Sequence, residues 1–217
     1  MVLLCLSDIH GEGEHLRSIL STAGAFEAIA LAGDLTHLGG RGEAERILEP
    51  IMEAGKPVVA VPGNMDRRDV LPLLEEMGIS IHGRSIVLGN CGFFGLGGSN
   101  PSPFGTPFEV KPADAQDLLR KGYEPIRGMT LKVLVSHAPP KATKLDRSFA
   151  GMHVGSDEVR KFLTENAVDL CLCGHIHEAA GEDAVCRTHC VNIGPWKSGR
   201  YALISLEPGR ISVDWRS

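Results

Sequence analysis

No apolar run in these 217 residues approaches the length of a membrane span, which argues against a transmembrane helix. Positive charge is in deficit. Lysine and arginine number 22 against 27 aspartates and glutamates, for a net charge of -5. That removes any bulk attraction for nucleic acid or anionic membrane, while leaving room for a local cationic site. Aromatic residues are scarce at 5%, so two phenylalanines close together in one loop stand out. A C-x-x-C pair is missing. Cys171 and Cys173 alternate as strand residues do, which is not the spacing of a zinc or redox site. The other cysteines are Cys5, Cys91, Cys186 and Cys190; Cys186 and Cys190 are expected to share a strand face. The opening "MVLLCLSDIH" has no basic leader, and Asp8 and His10 interrupt its apolar run, so it reads as a first strand and not a signal peptide. Reduced, buried thiols and a cytoplasmic location are the corresponding expectations.

What is present is a globular balance, 43% apolar and 23% charged, over a length that suits one domain spanning 1–217. Short apolar runs alternate with helix-like stretches in the first third. Strands are expected at 2–7, 28–33 and 57–63, with helices at 12–24, 41–55 and 68–78. Strand, helix, strand at this spacing predicts βαβ units and a parallel sheet. Later segments add a hairpin around Gly89-Asn90, a loop rich in proline and glycine at 99–112, and a helix near 113–121. A strand at 130–136, a long loop at 139–154, a helix at 156–166 and a strand at 167–173 follow. Three late strands are expected near 184–191, 201–206 and 210–215. The fold class is therefore α/β, with two packed mixed β-sheets, a sandwich, flanked by helices.

The residues just past the strands carry the chemistry. They read "SDIHG" with Asp8 and His10, "GDLTH" with Asp34, "PGNMD" with Asn64 and Asp66, "SHAPP" with His137, and "GHIHE" with His175 and His177. Carboxyl ends of strands in an open α/β sheet are where ligands bind. A lone histidine or a single His-x-His pair would carry little weight. Five such motifs, each at a strand mouth and each bearing a metal-ligand residue type, point to a metal site.

The order D-x-H, G-D, G-N-x-D, S-H, G-H-x-H resembles the calcineurin-like metallophosphoesterases, and "SHAPP" with "CGHIHEAAG" resembles their small stand-alone archaeal and bacterial members. That resemblance implies two divalent transition-metal ions, manganese first, with iron, zinc or nickel as alternatives. It implies Asp8, His10 and His177 on one ion, Asn64, His137 and His175 on the other, and Asp34 bridging both. The implied reaction is attack of a bridging hydroxide on a phosphate ester. Two ions, two carboxylates and one hydroxide leave about one net positive charge, which suits an anionic substrate.

One position departs from the family pattern. Met65 stands where many members have a histidine that protonates the leaving group. The expected preference is therefore for phosphodiesters and for leaving groups that depart unprotonated. Asp66, with no histidine to orient, is expected to cap the turn or helix that follows. His153, in "FAGMHVGS", is the candidate substitute acid or substrate contact, and His37 and Asn192 are candidate supports for the ligands. His15, His82 and His189 read as surface or packing residues. Phe104 and Phe108 in the 99–112 loop are candidates to stack an aryl group or to pin the loop. The expected partners are a phosphate-ester small molecule or nucleotide-like substrate, with a homodimer carried alongside; membrane and nucleic acid are set aside on the grounds above. The rival functions are a broad phosphomonoesterase or protein phosphatase, a nuclease, and a non-catalytic scaffold.

Overall fold

A computed structural model describes residues 1–196 and 199–217. Short, nearly continuous apolar runs become the parallel strands, buried on both faces, and the polar stretches between the first of them become helices. In chain order these are β1 (Val2–Leu6), α1 (Leu16–Thr22), β2 (Ala28–Ala32), α2 (Arg41–Glu53), β3 (Val58–Val61) and α3 (Val70–Glu76). Then come β4 (Ser85–Leu88), β5 (Cys91–Leu96), α4 (Pro112–Tyr123), β6 (Leu131–Ser136), α5 (Asp157–Glu165) and β7 (Leu170–Cys173). The chain continues with β8 (Gly181–Val185), β9 (Thr188–Asn192), β10 (Tyr201–Glu207) and β11 (Arg210–Arg216).

Two mixed sheets result, ordered β11-β10-β1-β2-β3 and β4-β5-β6-β7-β9-β8. β1, β2 and β3 are parallel, as are β5, β6, β7 and β9; the antiparallel partners lie toward the edges. Strand alternation sorts the side chains into layers. Leu3, Cys5, Ala30, Val59, Phe93, Val133 and Leu172 meet between the sheets. Leu4, Leu6, Ile29 and Leu31 face the other way, onto α1, α2 and α3. Phe94, Leu134, Cys171 and Cys173 form the face of the second sheet that packs against α4 and α5. Each leucine, isoleucine, valine or phenylalanine among them contributes roughly 1.5–3 kcal/mol when fully buried. No helix among the described residues is long and apolar enough to cross a membrane.

One strand expectation needs correction. The stretch near 184–191 is a hairpin, β8 and β9, and not a single strand. Cys186 is exposed in its turn at φ 53, whereas Cys190 is buried on β9, so the two thiols share no face. Cys186-Arg187 lacks the glycine or asparagine that usually marks such a turn, which hid it in the sequence.

His82 is a packing residue with a pH consequence. Its Nδ1 accepts the Gly97 N–H at 2.8 Å and its ring meets Phe108 edge-on. Burial pushes its pKa down to about 4 from 6.5. A folded-state value below the unfolded one means that protonation favours unfolding. This contribution is whole above pH 6.5 and is lost as pH falls through 6.5 towards 4, on the order of 3 kcal/mol. His82→Asn keeps an acceptor for Gly97 without the titration. Urea unfolding at pH 7.5 and pH 4 should therefore show a smaller acid-induced loss in the variant; an equal loss would contradict the assignment.

Candidate metal centre

The strand ends meet at a strained backbone. Asp8 (φ 52), His10 (φ 51), Asp34 (φ 51) and His175 (φ 69) all hold left-handed conformations. Such a residue costs of order 1–3 kcal/mol and persists only where its surroundings fix it. Here the loops fix one another. Asp8 N donates to Gly33 O, His10 N to Asp34 O, and Gly11 N to Leu35 O, which laces the loop after β1 to the loop after β2. His175 N donates to both Asp8 carboxylate oxygens, at 3.2 and 3.1 Å, tying one sheet to the other.

Glycine makes this approach sterically feasible at two points. A Cβ on Gly63 would sit 2.0 Å from Asp34 Oδ1, and one on Gly174 would sit 2.3 Å from Asp8 Oδ2. Gly63→Ala should therefore displace Asp34 and weaken Mn2+ affinity at least about tenfold, the scale of a lost supporting contact. Gly42→Ala, which meets open space in α2, is the control. Calorimetric Mn2+ titration checks this, and unchanged affinity in Gly63→Ala would refute it.

The side chains converge. Asp8, His10 and His177 bring one potential ligand atom each within 4.8 Å of one another, and so do Asp8, Asp34 and His137. His10 Nε2 and His177 Nε2 lie 3.2 Å apart, and His177 Nε2 is 3.2 Å from Asp8 Oδ1. Asp34 Oδ2 lies 3.8 Å from His10 Nε2 and 3.4 Å from His137 Nε2, between the two groups. Its Oδ1 accepts the Met65 N–H at 2.8 Å, which aims Oδ2 inward. Asn64 Oδ1 is 2.9 Å from His137 Nε2, and the His175 ring lies 5.1 Å from that of His137. All seven residues taken from the sequence as ligands are thus neighbours.

A surrounding set holds them. His137 Nδ1 donates to Ala32 O at 2.8 Å, which leaves Nε2 as the ligand atom. Ser7 Oγ donates to Asp8 Oδ2 at 2.7 Å. Asn192 Nδ2 donates to Ile176 O and Leu145 O, clamping the residue between His175 and His177. The His37 ring packs edge-on against His10 at 5.4 Å. Asp66 does not cap a helix. It is buried and accepts from the backbone N–H groups of Leu35, Thr36 and Gly63 and from the Thr36 hydroxyl, bracing the loop that carries Asp34. The expectation failed because Thr36, which gives two of its hydrogen bonds, lies 30 residues away in sequence, which local spacing does not reveal.

The electrostatics fit cations. Among the described residues, only histidines pair with the buried Asp8 and Asp34 carboxylates; no lysine or arginine does. Burial works against the Asp8 charge, but the His177 hydrogen bond and the His137 charge hold its pKa down at about 2. Burial likewise opposes a charge on His137, and Asp34 and Asp8 outweigh it, raising the imidazole to about 9. His175 goes down to about 4, through burial and then His137. Burial and the Asp34 charge push Asp66 up to about 6. His10 Nδ1 is buried with no protein partner. Two buried carboxylates among imidazoles, with no lysine or arginine paired to them among the described residues, suit divalent metal ions.

The remaining candidates lie outside these two clusters. His153 Nδ1 is 2.7 Å from Asp146 Oδ1, and the buried Asp146 also accepts from the backbone of Ala142, Thr143 and Gly155. Phe108 is buried and pins its loop, its N–H donating to Asn64 O at 3.1 Å, whereas Phe104 is exposed. His15 is exposed, and His189 Nε2 lies 2.9 Å from Glu182.

Residues 1–179 match the family model for calcineurin-like phosphoesterases. The chain belongs to that family. This phosphoesterase is 31% identical over 202 residues to the protein MJ1162 of Methanocaldococcus jannaschii, covering 90% of its own length and 88% of the relative's. Its fold is shared with TT1561 of Thermus thermophilus, at TM-score 0.75 and 19% identity, over 98% of this chain and 97% of that one. GAP50, the anchor in the inner membrane complex of Plasmodium, is similar at TM-score 0.65 and 14% identity, over 99% and 84% of the two chains. At those identities the likeness is one of fold. Family membership makes the phosphoesterase a metal-dependent hydrolase of phosphate esters.

Proposed function

We propose that the chain is a two-metal phosphoesterase that favours diesters and uses Asp34 as the bridging ligand. The observation that supports this reading best is the position of Asp34 Oδ2, 3.8 Å from His10 Nε2 and 3.4 Å from His137 Nε2. Asp8, His10 and His177 would hold one ion, and Asn64, His137 and His175 the other, with manganese as the first choice. Bound there, the pair supplies positive charge for the phosphoryl oxygens and acidifies a water near neutral pH.

The protein's own groups do the positioning. His137 commits Nδ1–H to Ala32 O, so Nε2, beside Asn64 Oδ1, is the nitrogen that would meet an ion. Asn64 presents a neutral amide, so the site keeps net positive charge for an anionic substrate. Met65 has no proton to give to a leaving oxygen. His153, oriented by Asp146 through Nδ1, keeps Nε2 for a substrate oxygen, as contact or acid. The substrate class is a small phosphate ester or a nucleotide-like compound, handled in the cytoplasm.

The test is a panel of aryl and alkyl mono- and diesters with Mn-loaded protein. Diesters should be turned over faster, and log kcat/KM should fall steeply as the leaving-group pKa rises. His153→Gln should steepen that slope by slowing the poorest leaving groups about tenfold or more. A preference for monoesters, or a flat slope in both proteins, would contradict the reading.

A further inference from the structure

The largest exposed apolar side chains are not scattered over the surface. Of six on the described residues, four lie on loops at the carboxyl ends of strands: Leu38, Phe104, Phe149 and Met152. Those three loops follow β2, β5 and β6, and each is tied by a hydrogen bond to a residue that carries or adjoins a candidate ligand. Leu38 N donates to Met65 O, beside Asn64. Phe108 N, in the loop that carries Phe104, donates to Asn64 O. Phe149 N donates to Glu178 Oε1 at 2.7 Å, beside His177.

Both phenylalanines sit on built tips. Glu109 Oε1 gathers the N–H groups of Ser102 and Thr106 and both of their hydroxyls, at 2.9 to 3.2 Å, and holds Phe104 out with 89% of its surface exposed. On the second tip, Ser148 N donates to Met152 O and Gly151 N to Ser148 O, with Phe149 92% exposed. Leu38 holds a left-handed backbone (φ 61) and still leaves 46% of itself in water. An apolar residue that is strained, braced and wet gains little from the fold itself. Single exposed apolar residues are ordinary; a set arranged around one site is not.

We infer that Phe104 and Phe149, with Leu38 and Met152, form an apolar subsite for the organic group of the ester, and that the substrate carries a large aryl or comparably apolar substituent. The inference rests on the phosphoesterase reading for the position of the phosphoryl group. The three loops are hydrogen-bonded to the segments bearing the candidate ligands Asn64 and His177, which brings their apolar tips to the side of the molecule where the phosphoryl group would bind. Absence of a proton donor at Met65 points the same way, because aryl alcohols leave as anions more readily than alkyl ones.

Two soluble p-nitrophenyl diesters, one with a methyl and one with a 2-naphthyl second substituent, test this on the full chain loaded with Mn2+. The non-hydrolysable probe is 2-naphthylmethylphosphonate, which has a P–C bond in place of the ester, and its binding is followed by calorimetry. Covering part of two phenylalanine rings is worth about a factor of ten. Phe104→Ala/Phe149→Ala should therefore lose about tenfold in kcat/KM for the naphthyl diester, and about tenfold in affinity for the probe, while kcat/KM for the methyl diester stays within about twofold. Equal losses on both diesters, or unchanged probe affinity, overturn the subsite. Loss of sedimentation with phosphatidylcholine vesicles in the double variant, with naphthyl kinetics and probe affinity unchanged, overturns it in favour of a lipid-facing surface. Failure of the wild type to turn over either diester would instead count against the hydrolase reading, and the probe affinities would still decide the subsite.

Discussion

Asp34→Asn should abolish turnover, by at least about a thousandfold, and lower Mn2+ occupancy while leaving the fold intact. The substitution separates the two roles of one carboxylate. Oδ1 accepts the Met65 N–H, and an asparagine oxygen can do the same. Oδ2 faces His10 and His137, and there the variant places an amide N–H2 that repels a cation. The variant also removes the charge that, after burial, raises the pKa of the buried Asp66 to about 6. Metal-free Asp34→Asn should accordingly melt close to the metal-free wild type at pH 7, because relief of the repulsion on Asp66 opposes the lost pairing with His137. Lost activity together with a retained Tm assigns the effect to the metals. Full activity with normal occupancy would refute the bridging role, and a collapsed Tm would make Asp34 a structural residue.

Met65→His should convert a demanding enzyme into a more permissive one. Met65 follows the candidate ligand Asn64 and is half-buried, with its backbone fixed between Asp34 Oδ1 and Leu38 N. With the phosphoryl group bound as proposed, an imidazole there would stand beside it, and general acids contribute about 10²–10⁴-fold. The gain should appear only where protonation helps. Alkyl diesters should speed up by about a hundredfold, whereas p-nitrophenyl diesters should change by no more than about threefold. The variant should also show a new basic limb in its pH–rate profile, as an imidazole of ordinary pKa near 6.5 loses its proton. Equal acceleration of both esters, or none, would place the missing function elsewhere.

The site was more legible in the sequence than its support. Asp8, Asp34, His137 and His175 announce themselves because each follows an apolar strand, and parallel strands deliver their carboxyl ends to one edge. The βαβ start was legible as well, because short apolar runs alternate with polar, helix-length stretches. Asp66 was not, since three of its four donors, from Leu35 and Thr36, sit on another segment and one-dimensional spacing carries no record of them. The β8–β9 hairpin was missed because Cys186 takes a positive φ without being glycine, asparagine or aspartate. The left-handed backbone at the candidate ligands was likewise invisible, because strain imposed by tertiary contacts contradicts local preference. Phe104 and Phe108 looked equivalent in the loop. Only the packing separates the buried pin from the exposed tip.

Metal content measures the central claim most directly. Purified protein, stripped with chelator and titrated with Mn2+, should take up two equivalents per chain, and His177→Ala and Asn64→Ala should each retain about one. Uptake of a single equivalent by the wild type, or of two by both variants, would mean that these strand ends do not build a two-ion centre.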